Sequence, residues 1–114
     1  MTMVEYGKQI REGNKMLTRG LNKMYDLAVN KNVCCDLFNN NYWKLFSINE
    51  HLKSREKYTI IDIPSYIETI NMVINNLGEF DTTGLNGRNR RTLKGIIGDF
   101  TKALNIWEVA YNGF

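Results

Sequence analysis

Gly84-Leu85-Asn86-Gly87-Arg88-Asn89-Arg90-Arg91-Thr92-Leu93-Lys94-Gly95-Ile96-Ile97-Gly98-Asp99-Phe100 opens the last third of the chain, and its reading decides the fold. The stretch begins loop-like and basic. It continues as the most regular helical pattern in the sequence: Leu93, Ile96, Ile97, Phe100, Leu104, Trp107 and Tyr111 recur at steps of three and four and so share one helix face. The other helical segments are read as elements that cover this stripe.

Working outward, the chain of 114 residues is 43% apolar and 24% charged, an ordinary globular composition that argues against disorder. The length is that of one domain, 1–114, able to bury a single core without staples. Pro64 is the one proline, which leaves long helices uninterrupted. Frequent Asn, Ile, Lys and Tyr suit an AT-rich coding sequence, as in many viruses, mobile elements and low-GC bacteria. Cys34 and Cys35 are adjacent and close no loop; they read as reduced thiols on neighbouring helix positions, in keeping with a reducing cytosol. No run approaches the ~20 apolar residues of a membrane span, and the start Met1-Thr2-Met3-Val4-Glu5 lacks a secretion signal. The expectation is a cytoplasmic protein (host cytoplasm if viral) with no membrane partner.

Four helical segments are predicted. The first runs from Met3 to Val29, with Tyr6, Ile10, Leu17, Leu21, Met24 and Ala28 inward. Lys8, Arg11, Lys15, Arg19 and Lys23 fall on nearly the opposite side, read first as a solvated face and second as a phosphate-tracking one. Gly7, Gly13 and Gly20 mark either close helix crossings or a late helix start. The second segment covers Val33 to Lys53, with Asn39-Asn40-Asn41 as a candidate break. Its Tyr42, Trp43 and Phe46 point away from the Leu45–Leu52 face, so either the helix is buried on two sides or these rings form an exposed interface patch. Tyr58 to Ile63 reads as an extended lead-in packed over the bundle. The third helix starts between Asp62 and Pro64 and ends at Gly78. Leu21, Ile70, Phe100 and Leu104 are expected in the core. The fold class is all-α, a single bundle-like domain of about four helices; the long link before Ile63 leaves a crossover open.

Chemistry is sparse. His51 is the one histidine, and with Cys34-Cys35 it matches no zinc spacing. No nucleophile has a base and an orienting group. No catalytic residue, cofactor or metal is expected. Gly84 to Thr92 lacks the Gly-Lys-Ser/Thr ending of an ATP-binding loop. It does set Arg88, Arg90, Arg91 and Lys94 at a helix start, where cations oppose the helix dipole and a bound anion would resolve the conflict. The alternative pairs these arginines with Glu79, Asp81 or Asp99. Gly95 and Gly98 add a site where a helix or a ligand backbone can come close.

The leading functional expectation is therefore a non-enzymatic binding protein that engages an anionic partner through Arg88, Arg90, Arg91 and Lys94. That partner is most simply nucleic acid, or an acidic protein surface, with Lys8, Arg11, Lys15, Arg19 and Lys23 as a secondary basic face. The competing expectation is a protein-interaction module, such as a small inhibitor, immunity-type protein or assembly factor. It would form a homo-oligomer through Tyr42, Trp43 and Phe46.

Overall fold

The computed structural model describes residues 1–54 and 62–113. Four helices follow in order: α1 Met3–Tyr25, α2 Cys35–Ser54, α3 Asp62–Gly78 and α4 Gly87–Gly113. A π-helical turn, Asp26–Asn30, prolongs α1. The fold is all-α. Of the extended lead-in expected over Tyr58 to Ile63, Asp62 and Ile63 are instead the first residues of α3, and the rest, like any docking of Phe114, lies outside the described residues.

Local chemistry sets the helix ends. The Thr2 hydroxyl accepts from the Glu5 amide at 3.1 Å and starts α1 at once. The late start allowed by the early glycines is thereby overturned. Asn86 does the same for α4, its side chain accepting from the Asn89 amide at 2.8 Å. From Gly87 on, the basic lead-in is thus the first helical turn, and only Gly84 to Asn86 stay outside the helix.

Polar pins fix the order of packing. Thr18 donates to Asn49 at 3.0 Å between α1 and α2, and Asn76 donates to Asn41 at 3.0 Å between α2 and α3. The Trp107 indole donates to the Ile10 carbonyl at 3.2 Å between α4 and α1. With the rings of Tyr66 and Trp107 6.5 Å apart, these register points make successive helices antiparallel and return α4 to α1. The bundle is up-down-up-down, and no crossover is needed between α2 and α3.

Leu93, Ile96, Phe100, Leu104 and Trp107 are buried as the stripe predicts, and so are Leu21 and Ile70. Ile97 sits half-buried at the stripe's edge. Tyr111 is exposed, and Ala110 beside it carries the buried face into the last turn instead. The tightest contact is glycine against ring. A Cβ on Gly13 would strike the indole of Trp107, and one on Gly20 would strike the ring of Phe100. The two glycines weaken α1 by ~1 kcal/mol each, and in return α4 lies close enough to bury both rings. Gly95 and Gly98 make no such approach: a Cβ on Gly95 would meet only the Lys23 ammonium at 3.6 Å, and one on Gly98 would meet nothing. The close face of α4 is the ring-bearing one.

The asparagine run does not break α2. Asn41 is buried and donates to the Leu37 carbonyl at 2.7 Å while accepting from Asn76, so its polar atoms are satisfied inside the helix pair. At the other junction Cys34 is not helical. It precedes α2 with φ 57°, and Asn32 has φ 53°.

Candidate binding surfaces at one end of the bundle

The first surface lies where α1 runs out against the start of α2. The π turn carries one extra residue per turn, with the Lys31 amide bonded back to the Asp26 carbonyl at 3.2 Å. Leu27, three residues after Met24, is buried there, and Ala28, expected inward, is half-buried. Ala28 and Val29 then face α2 across a groove of about 480 Å³. Met24 and Tyr25 continue the α1 wall; Phe38, Asn39, Tyr42, Trp43 and Phe46 make most of the other. Cys35 and Asp36 close one end.

The groove is open because the rings stack on one another outside the core. Tyr42 and Phe46 stack at 5.6 Å, and Trp43 meets both edge-on at 5.2 and 5.5 Å. Tyr25 reaches Tyr42 from α1 at 6.3 Å. Trp43 is 57% exposed, Tyr25 52% and Val29 59%. Of the two sequence readings of Tyr42, Trp43 and Phe46, the geometry is that of an exposed patch, with Tyr42 and Phe46 half-buried at its base. The Trp43 indole donates to Asn39 one turn back at 3.2 Å, which holds the ring in place. Sequence reasoning missed the α1 wall. Tyr25 and Val29, four apart and off the inward face, were the available signal.

The thiols have different settings. Cys35 is exposed, its Sγ 3.4 Å from the Ala28 carbonyl and 3.2 Å from Asn32 Oδ1. Burial, and then the neighbouring Cys35, pushes the Cys34 thiol up, which keeps it protonated and a poor nucleophile. Burial likewise raises the Tyr42 hydroxyl, with Tyr25 and Glu50 adding to it. His51 lies near the far end of α2, about 24 Å of helix away from Cys35, and faces Asp62 at 3.7 Å and the ring of Tyr66. The structure does not bring the cysteines and the histidine together. Among the described residues no cluster of three or more His, Cys, Asp and Glu side chains could hold a metal.

The second surface is the start of α4. Arg88, Arg90, Arg91 and Lys94 are all exposed, and among the described residues none makes an ion pair. The partners considered for them are engaged elsewhere or stand apart. Asp99 is buried and takes Lys23 at 2.7 Å. Asp81 accepts from Thr83, whose backbone and side-chain bonds hold its carboxyl below the usual range. Glu79 is exposed with no ion pair among the described residues. The helix start is less needy than an uncapped one, since Asn86 already satisfies the Asn89 amide. The four cations also fan around the exposed half of α4. Arg88 shares the α1-facing side with Gly95 and Asp99, and Arg91 lies next to Gly95 on that edge; Arg90 is on the α3-facing side, with Lys94 next to it.

The secondary basic face of α1 is thinner than its sequence suggests. Lys15 pairs with Glu12 at 3.0 Å and Lys23 with Asp99, which leaves Lys8, Arg11 and Arg19 exposed and without an ion pair among the described residues. No described helix is long and apolar enough to cross a membrane. No protein family, curated protein or solved structure matches the chain.

Proposed function

We propose that this chain is a non-enzymatic binding protein whose principal site is the aromatic groove between α1 and α2, and that it docks an apolar segment of a protein there. The observation that carries this reading is a concave apolar groove of about 480 Å³ walled by exposed Trp43, Tyr25 and Val29. Large exposed apolar patches mark interaction sites, and Trp and Tyr dominate the energetics of such sites. The groove also offers a route to self-association by a second copy. The test is photo-crosslinking from position 43 in the source cell, with position 105 on α4 as control. A discrete protein adduct from position 43 alone is the expected result. Light scattering over a concentration series separates a foreign partner from a second copy. Adducts to nucleic acid, or the same adducts from both positions, would refute the reading.

A second reading keeps the anionic partner. It is favoured by one observation: Arg88, Arg90, Arg91 and Lys94 are exposed and have no carboxylate partner among the described residues. Nucleic acid then binds through phosphate contacts. Arg90→Ala with Arg91→Ala flattens the log–log salt slope by about 2 units on duplex DNA. Equal slopes for wild type and variant remove this reading.

A further inference from the structure

We infer that the groove and the α1-facing edge of the basic cluster form one bipartite surface, and that its occupant is an acidic amphipathic helix of another protein. The inference rests on the protein-docking reading above. It follows from helix register. α1 and α4 are antiparallel, with Lys23 held against Asp99 at 2.7 Å and lying over Gly95. Arg91 and Arg88 stand four and seven residues before Gly95, so they continue that edge toward the end of α1. On the opposite flank of α1, Tyr25 and Val29 open the groove. Cationic edge and apolar groove are therefore separated by one helix, a width of about 10–12 Å.

The shape suits a helix. The α2 wall runs from Cys35 to Phe46, about 16 Å of helix, which matches two to three turns of a partner's apolar face. Charge decides the flank. Arg88 and Arg91 have no carboxylate partner among the described residues, so carboxylates on the side of the incoming helix that faces α4 across α1 complete them. A nucleic acid fits less well. A strand charged at every step would pass Asp26 on the ridge and Asp36 on the groove wall, both exposed, whereas a helix bears its carboxylates on one flank only.

The probes are two synthetic amphipathic helical peptides with the same Leu and Phe face, flanked by Glu in one and by Lys in the other. Binding is read by tryptophan fluorescence and calorimetry, with a single-stranded oligonucleotide as competitor. The Glu peptide is expected to bind about tenfold more tightly than the Lys peptide, the effect of two rim charges. Arg88→Glu with Arg91→Glu abolishes that preference, whereas Arg90→Glu with Lys94→Glu changes it less than about threefold. Trp43→Ala weakens both peptides alike. Equal affinities for the two peptides, or equal effects of the two charge pairs, overturn the bipartite surface and leave the groove reading standing. No binding of either peptide overturns both. An oligonucleotide that displaces the Glu peptide at lower concentration assigns the surface to nucleic acid instead.

Discussion

Trp107 and Trp43 are the same residue in two opposite settings on the two flanks of α1. Trp107 is fully buried, its ring seated on Gly13 and its N–H given to the Ile10 carbonyl of the neighbouring helix. Trp43 is 57% exposed and gives its N–H to Asn39 of its own helix. The cause lies in what α1 presents on each side. Toward α4 it offers glycines, so the helices approach and the rings go inside. Toward the start of α2 it offers Tyr25 and Val29 against Tyr42, Trp43 and Phe46, and large residues on both walls hold the helices apart. One flank is closed by small-against-large packing; the other is left open by large against large. Both tryptophans have their N–H satisfied, so burial separates them and hydrogen bonding does not.

The largest expected effect tests that contrast directly. Trp107→Ala should cost about 3–5 kcal/mol through lost transfer energy and a cavity, whereas Trp43→Ala should stay within about 0.5 kcal/mol. Urea unfolding of the two variants measures both. Comparable losses would mean that the groove is part of the core and that its rings are not held outside it.

Next in size is the glycine seat. Gly13→Ala alone places a methyl group against the indole and should destabilise by about 1–3 kcal/mol. In a Trp107→Ala background the methyl has room, and alanine's helix propensity should make the same change favourable by up to about 1 kcal/mol. A double-mutant cycle reads this reversal of sign. If Gly13→Ala is equally harmful in both backgrounds, the seat is not what sets the helix approach.

How far this contrast was legible in the sequence depended on period. The α4 stripe was legible because Leu93, Ile96, Phe100, Leu104 and Trp107 keep an unbroken helical spacing, and burial followed it. Gly13 and Gly20 could be flagged only as ambiguous, since which ring they receive is settled by the register between distant helices. The π turn at Asp26–Asn30 was not legible, because it leaves no compositional mark. The asparagine run misled for a related reason: Asn41 is unfavourable in a helix alone, and its partner Asn76 lies 35 residues away. At the binding surfaces, Tyr42, Trp43 and Phe46 could be picked out as off-face rings, whereas the α1 wall, signalled only by the off-face pair Tyr25 and Val29, was missed. The four cations could be found as a cluster, but their fan around α4 and the pairing of Asp99 with Lys23 needed the fold.

A smaller effect on stability, and a larger one on binding, is expected at the open flank. Trp43→Ala with Phe46→Ala should leave the helical circular dichroism signal intact and lose less than about 1.5 kcal/mol, since Trp43 is exposed and Phe46 half-buried. The same variant should lose binding of an apolar fluorescent dye and any concentration-dependent assembly seen by light scattering. Dye binding that survives the double substitution would place the accessible apolar surface elsewhere.

The smallest effect concerns the joint between α1 and α2 at the open flank. Between the π turn and α2 the chain passes through two left-handed residues, Asn32 at φ 53° and Cys34 at φ 57°. Asparagine tolerates that region, but for a residue such as cysteine it costs roughly 1–2 kcal/mol. Glycine at position 34 removes this strain. It also gives up the packing of a half-buried thiol and adds freedom to the unfolded chain, a loss of about 0.5–1 kcal/mol. The terms nearly cancel, so Cys34→Gly should lie within about 1 kcal/mol of wild type, on the stabilising side. Cys34→Ala keeps the strain and loses the thiol, so it should be the less stable of the two. Urea unfolding of both variants under reducing conditions orders them. If alanine proves more stable than glycine, the left-handed joint is not strained.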